Sequence, residues 1–119
     1  MELPVVNHPD YVAKINDDNK FPIKKFGALA EYLLKEGVVK KFYIPKECSI
    51  KTMQTSHSLE YINHIRNKSL DIKLQKKIGF PINDSVVRRS FIATGGTVLA
   101  SKIALDTRLA CNTAGGSHH

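Results

Sequence analysis

Two adjacent histidines, His118 and His119, are the residues of this chain best suited to acid–base chemistry. They follow the glycine pair Gly115-Gly116, which itself follows a short apolar run typical of a strand. Neutral imidazole titrates near physiological pH, so each ring could accept or donate a proton there. Because a catalytic domain rarely ends on its catalytic residues, we expect the chain to be one part of a larger domain.

The closing segment also has an explanation that involves no chemistry. Taken alone, residues 115–119 read Gly-Gly-Ser-His-His, which is equally consistent with the start of a purification tag. The elements that precede the segment have to decide between the two explanations.

Composition predicts a globular chain with a buried core, because 42% of the residues are hydrophobic and 24% are charged. No apolar run approaches the roughly 18 residues that span a bilayer, and no secretory signal opens the sequence. We therefore expect a cytoplasmic protein without a membrane partner. Two cysteines, Cys48 and Cys111, are expected to be reduced and buried.

The net charge of +7 is distributed in separate pairs rather than in one basic run. Examples are Lys24-Lys25, Lys76-Lys77 and Arg88-Arg89. Pairs of this kind are typical of solvated helix faces. We therefore do not expect nucleic acid as a partner.

Helical and strand-like segments alternate along the chain, which predicts an α/β fold. Apolar spacing from Phe26 to Leu34 predicts a helix that ends at Gly37. A longer helix is predicted from Val86 to Leu105, with capping groups at residues 83–85.

A glycine pair, Gly95-Gly96, interrupts the middle of the longer predicted helix. Each glycine costs a helix about 1 kcal/mol relative to alanine. We therefore expect another backbone to approach the helix closely at these glycines, which would explain why the helix accepts this cost. Residues 109–114 then predict a buried strand, and in open α/β sheets ligands bind beyond the carboxyl ends of strands. The two histidines would lie in that position.

Residues 8–11, 21–26, 57–62, 78–81 and 95–119 form five blocks that occur in a recognisable order. Together they resemble the zinc-dependent histone deacetylase family, and most of all its class IV and bacterial acetoin-utilisation-like branch. It covers nearly the whole chain and favours a native segment over a tag at residues 115–119. It implies that residues 1–119 are the N-terminal portion of an arginase/deacetylase-like domain, with a parallel sheet and flanking helices.

The resemblance also implies roles for individual residues. His119 would be the general base that activates water, and His118 would assist electrostatically or as the proton donor to the leaving amine. The residues expected along the substrate channel or at its rim are Gly115, Gly116, Phe21, Pro22, Gly79, Phe80 and Pro81. One departure from the family lies at Asn19-Lys20, where the family has a loop that contains histidine.

The family's cofactor is zinc, which polarises the scissile carbonyl and lowers the pKa of a bound water. The resemblance implies that the zinc ligands, an Asp-x-His pair and a later Asp, would follow the tandem histidines, as would an oxyanion-stabilising Tyr. These positions are absent from residues 1–119. We therefore expect no zinc and no activity in this chain alone, and acetyl-lysine or a small acylated amine as substrate if the domain is completed.

Two alternatives remain open at this stage. The chain could be half of a split deacetylase, with a C-terminal half supplied in trans. It could also be a non-catalytic basic module for binding or assembly. In each case a partial fold would leave apolar surface uncovered, which predicts self-association.

Overall fold

The computed structural model describes residues 2–116, and the predicted catalytic residues His118 and His119 lie outside the described residues. The elements in chain order are strand β1 (Val5–Val6), a 3₁₀ turn (Pro9–Tyr11), helices α1 (Lys25–Lys35), α2 (Ile50–Met53), α3 (Leu59–Arg66), α4 (Ile72–Ile78) and α5 (Asp84–Thr107), and strand β2 (Cys111–Asn112). None of the helices within residues 2–116 is long and apolar enough to cross a membrane.

Strand β1 lies between two parallel neighbours and is buried. Val5 pairs with Cys111 and Val6 with Asn112 of β2. On its other side, β1 forms a parallel bridge to Tyr43, whose backbone N–H donates to Val5 O at 2.9 Å. The described residues form a mainly helical structure with one small parallel pairing, and the predicted α/β fold stays a prediction. The larger arginase/deacetylase-like sheet stays a prediction.

Helix α5 is the longest element and packs against both parts of the core. It begins at the predicted cap, where Asn83 Oδ1 accepts from Val86 N at 3.0 Å. Its Asp84–Thr107 span contains the predicted helix and exceeds it by about half a turn at each end. One side of α5 joins a core cluster around Tyr11, and another side joins a second cluster around Met53. The helix is therefore apolar on two faces.

The glycine pair lies where α5 meets other parts of the chain most closely. A Cβ on Gly95 would lie 1.9 Å from Lys46 O, and a Cβ on Gly96 would lie 1.9 Å from the Tyr11 hydroxyl oxygen. The predicted close approach of another backbone is confirmed at Gly95, whereas the close neighbour of Gly96 is a side chain.

The prediction of a buried strand over residues 109–114 is wrong in part. Only Cys111–Asn112 forms a strand, and Leu109 is 63% exposed. Cys111 is exposed, whereas Cys48 is buried as expected. Side chains alternate along a strand, and the Asn112 side chain faces α5, so the Cys111 side chain faces the opposite side. No described element covers Cys111 there.

Candidate functional site

A cavity of about 550 Å³ lies alongside α5 and is lined by residues of both core clusters. Four of the predicted site residues line it: Phe21, Phe80, Gly115 and Gly116. They come from three separate segments of the chain. The volume is within the range of about 300–1,000 Å³ that is usual for small-molecule sites.

Phe21 and Phe80 meet edge to face, with ring centroids 5.1 Å apart. The side chain of Asn19 joins the two segments that carry these rings. Its Oδ1 accepts from Phe21 N at 2.9 Å, and its Nδ2 donates to Gly79 O at 3.2 Å. Asn19, which departs from the family pattern, therefore fixes the relative position of the two aromatic residues.

The other three predicted rim residues, Pro22, Gly79 and Pro81, lie outside the cavity lining. Pro22 O accepts from Lys25 N at 3.0 Å in the turn before α1. Gly79 ends α4 with φ of +83°, a conformation that glycine adopts without steric cost. Pro22 and Gly79 thus shape the backbone beside the aromatic rings, and the role of all three at a channel rim stays a prediction.

Arg89 is a cavity residue that sequence reasoning missed. Its guanidinium carbon lies 4.8 Å from the ring centroid of Phe26 and 5.9 Å from that of Phe21. Its Nε donates to Tyr11 O at 2.7 Å, and Nη2 lies 3.5 Å from Gly115 O. Burial lowers the pKa of the Arg89 guanidinium, and the neighbouring Tyr11 side chain opposes part of that effect.

Arg88-Arg89 was predicted to be a pair on a solvated helix face, and this prediction is wrong for Arg89. Arg88 is a surface residue that pairs with Asp10 and Glu47. A signal for the difference was present in the spacing, because positions 86, 89, 93 and 96 recur at three and four residues and share one helix face. Since positions 86, 93 and 96 are buried, position 89 is directed inward with them.

Tyr11 is fully buried at the carboxyl end of β2, where its hydroxyl donates to Asn112 Oδ1 at 2.7 Å. Burial raises the pKa of Tyr11 to about 12, which the charge of Arg89 only partly opposes. The phenol therefore stays neutral across the physiological range. It connects the 3₁₀ turn to β2 over the face of α5.

A second buried polar pair joins the ends of the strands. Thr113 Oγ1 donates to Asn7 Oδ1 at 2.7 Å, and both residues are buried directly after β2 and β1. Each of these side chains has its partner within the chain. The polar groups at this edge of the sheet therefore hold the strand ends together, two residues before Gly115.

The metal-binding side chains of the described residues are too dispersed for a zinc site. Within residues 2–116, no three His, Cys, Asp or Glu side chains come close enough together to hold a metal ion. These residues alone do not fit the three protein ligands of a catalytic zinc site. The positions of the zinc ligands expected for the complete family enzyme stay a prediction.

Comparison with known proteins gives two relatives. The chain is 40% identical, over an alignment of 121 residues, to an uncharacterized protein of Picosynechococcus sp., which takes in all of this chain and 40% of that protein. It is 26% identical over 115 residues to histone deacetylase 2 of Arabidopsis thaliana, which takes in 83% of this chain and 28% of that protein. No family model matches the chain.

The chain therefore spans less than half the length of either relative. The similarity to histone deacetylase 2 supports a distant relationship between this chain and the histone deacetylases.

Proposed function

We propose that this chain forms the N-terminal part of a zinc-dependent, deacetylase-like amidohydrolase that hydrolyses acetyl-lysine-type amides, and that the chain is inactive alone. The observation that carries the proposal is the similarity to histone deacetylase 2 over 83% of the chain. The cavity adds support, because Phe21, Phe80, Gly115 and Gly116 were predicted as channel residues and come together there.

In this proposal His119 is the general base and His118 assists at the leaving amine. Zinc would polarise the substrate carbonyl and lower the pKa of water, with its ligands supplied by polypeptide beyond these residues. Gly115 and Gly116 have no atom within 4 Å of the point where a Cβ would lie. A side chain would therefore project into open space beside the cavity, which glycine leaves available to a substrate.

The test is a chimera in which this chain replaces the matched segment of the Picosynechococcus relative. We expect both the parent and the chimera to hydrolyse an acetyl-lysine peptide and to contain zinc. The variant His119→Ala of the chimera should lose about 100-fold or more in turnover, the usual contribution of a general base. Lys35→Ala, an exposed change in α1 far from the histidines in the sequence, is the control and should retain turnover.

Two outcomes would contradict the proposal. The first is tight stoichiometric zinc together with turnover in the isolated chain, which would show that it needs no further ligands. The second is a zinc-loaded parent and a folded chimera that both leave acetyl-lysine peptides intact.

A second candidate, a module for assembly or a half that joins its complement in trans, is favoured by exposed apolar side chains. Ile72, Leu105 and Leu109 are 68%, 86% and 63% exposed. Exposed apolar surface promotes association. Sedimentation of the isolated chain should show a species larger than 13.3 kDa, and a single monomeric boundary at all concentrations would count against this candidate.

A further inference from the structure

The described wall of the cavity contains one strong cation in otherwise uncharged surroundings. Among its described lining residues, Arg89 is the single member of the Lys, Arg, Asp and Glu group. The walls near it are apolar and aromatic, with Phe21, Phe80 and Val86 among them. A charge in such surroundings is costly unless it is paired or hydrogen-bonded.

The described residues satisfy only part of the hydrogen-bonding capacity of Arg89. A guanidinium has five N–H donors. Arg89 uses Nε on Tyr11 O at 2.7 Å, and its Nη2 has a long contact of 3.5 Å to Gly115 O. Within residues 2–116, no carboxylate lies within 4.0 Å of this guanidinium, whereas the adjacent Arg88 has both Asp10 and Glu47.

The stacking contacts hold the guanidinium in place without neutralising it. The faces of Phe21 and Phe26 lie 5.9 and 4.8 Å from the Arg89 guanidinium carbon. Cation–π contact orients an Arg side chain but supplies no counter-anion. The result is an oriented fork of donors beside an apolar space.

We propose that this cavity binds a ligand with an apolar body and a carboxylate end, and that the carboxylate is held by Arg89. A planar guanidinium matches a carboxylate through two parallel hydrogen bonds. The apolar body would lie against Phe21 and Phe80. The volume of about 550 Å³ accommodates a chain of several carbons.

Two sources could supply this ligand chemistry. One is a free carboxylic acid. The other is an acyl group that is attached to an amine and ends in a carboxylate, and this assignment rests on the proposed function. In both cases the recognition is the same, a carboxylate on Arg89 and an apolar chain on the aromatic rings.

The experiment compares binding of octanoate and octanol to the 119-residue chain by heteronuclear NMR titration. In the wild type, octanoate should bind at least about tenfold more tightly, which corresponds to about 1.4 kcal/mol. Arg89→Met replaces the guanidinium by an apolar side chain of similar length. In this variant the ratio of the octanol and octanoate dissociation constants should fall to about 1. Arg88→Met is the matched control and should keep the wild-type ratio.

The proposal is overturned if wild type binds the acid and the alcohol equally, or if Arg89→Met keeps the preference. If Arg89→Met does not fold, the Arg89 Nε–H resonance of the wild type reports whether the carboxylate binds at Arg89. Octanoate should shift it and octanol should not, and shifts confined to Arg66 or Arg108 would refute the site.

A third arm distinguishes the sources, using lysine acylated with octanoyl or with a suberoyl group that ends in a carboxylate. Tighter binding of suberoyl-lysine supports an acyl substrate. Binding of octanoate with no preference for suberoyl-lysine supports a free acid. Each result supports the site itself. Because every arm measures binding without turnover, a failure of the deacetylase proposal leaves these results interpretable.

Discussion

Replacing Gly95 by alanine should destabilise this chain, even though alanine is the better helix former. A Cβ at Gly95 would lie 1.9 Å from Lys46 O and 3.0 Å from Cys48 N, and both of these are backbone atoms. Cys48 N donates to Phe91 O at 2.9 Å, which ties the segment around Cys48 to α5. The segment therefore cannot move away from residue 95 without straining that hydrogen bond.

The magnitude follows from the displacement that is needed. Ordinary contact with a Cβ begins near 3.4 Å, so Lys46 O would have to retreat by about 1.5 Å. Overpacking of this kind costs about 1–3 kcal/mol, and loss of one hydrogen bond adds about 1 kcal/mol. Alanine returns about 1 kcal/mol in helix propensity. We expect the free energy of unfolding to fall by about 1–3 kcal/mol.

Urea unfolding followed by far-UV circular dichroism measures this change. With a slope of about 1–3 kcal/mol per molar urea, the midpoint should fall by about 1 M. The control is Gly27→Ala in α1, where the new Cβ would meet only the Val12 side chain at 3.3 Å. That contact can relax, so the control should be neutral or slightly stabilised. Equal midpoints for Gly95→Ala and wild type, or the same shift in both variants, would refute the reasoning.

Two further predictions concern Tyr11 and the cap of α5. Since burial raises the pKa of Tyr11 from 10.0 to about 12, the unfolded chain loses this proton first as pH rises. Below pH 10, the buried neutral phenol makes its full contribution to the free energy of unfolding. Between pH 10 and about pH 12 the free energy of unfolding falls by up to about 2.7 kcal/mol. Tyr11→Phe should remove this alkaline slope in urea midpoints measured from pH 8 to 12, and an unchanged slope would contradict the assignment. Asn83→Ala should cost about 1–2 kcal/mol, because Asn83 caps Val86 N and also donates from Nδ2 to Lys14 O at 2.9 Å; Asn83→Asp should retain the cap and restore part of the loss.

Features set by local chemistry could be predicted from the sequence. The cap at Asn83 falls within the capping groups predicted at residues 83–85, because a short polar side chain satisfies the first free N–H groups of a helix. The close approach at Gly95-Gly96 was predicted because a mid-helix glycine pair needs a reason. These inferences depend on neighbours within a few residues.

Features that depend on tertiary contacts could not be predicted from neighbouring residues in the sequence. Cys111 belongs to an apolar run, yet its side chain is exposed, since no described element covers that face of β2. Arg88 and Arg89 are the same residue type, and helix spacing alone distinguishes the inward direction of Arg89. Its hydrogen-bond partners depend on where the 3₁₀ turn and Gly115 lie, which the spacing does not give. The pattern of charged residues along one helix does not predict which groups of other elements will pair with each charge.

Whether the charge of Arg89 serves binding or folding can be decided from one substitution. An apolar residue at position 89 would complete the buried face of α5 formed by positions 86, 93 and 96. It would also avoid the desolvation that lowers the pKa of Arg89. Against this, Arg89→Met gives up the hydrogen bond to Tyr11 O, worth about 1 kcal/mol. These effects oppose each other, so we expect the free energy of unfolding of Arg89→Met to stay within about 1 kcal/mol of wild type while the preference for a carboxylate is lost. That combination would assign the charge to a ligand, whereas a large loss of stability would show that the charge also serves the fold.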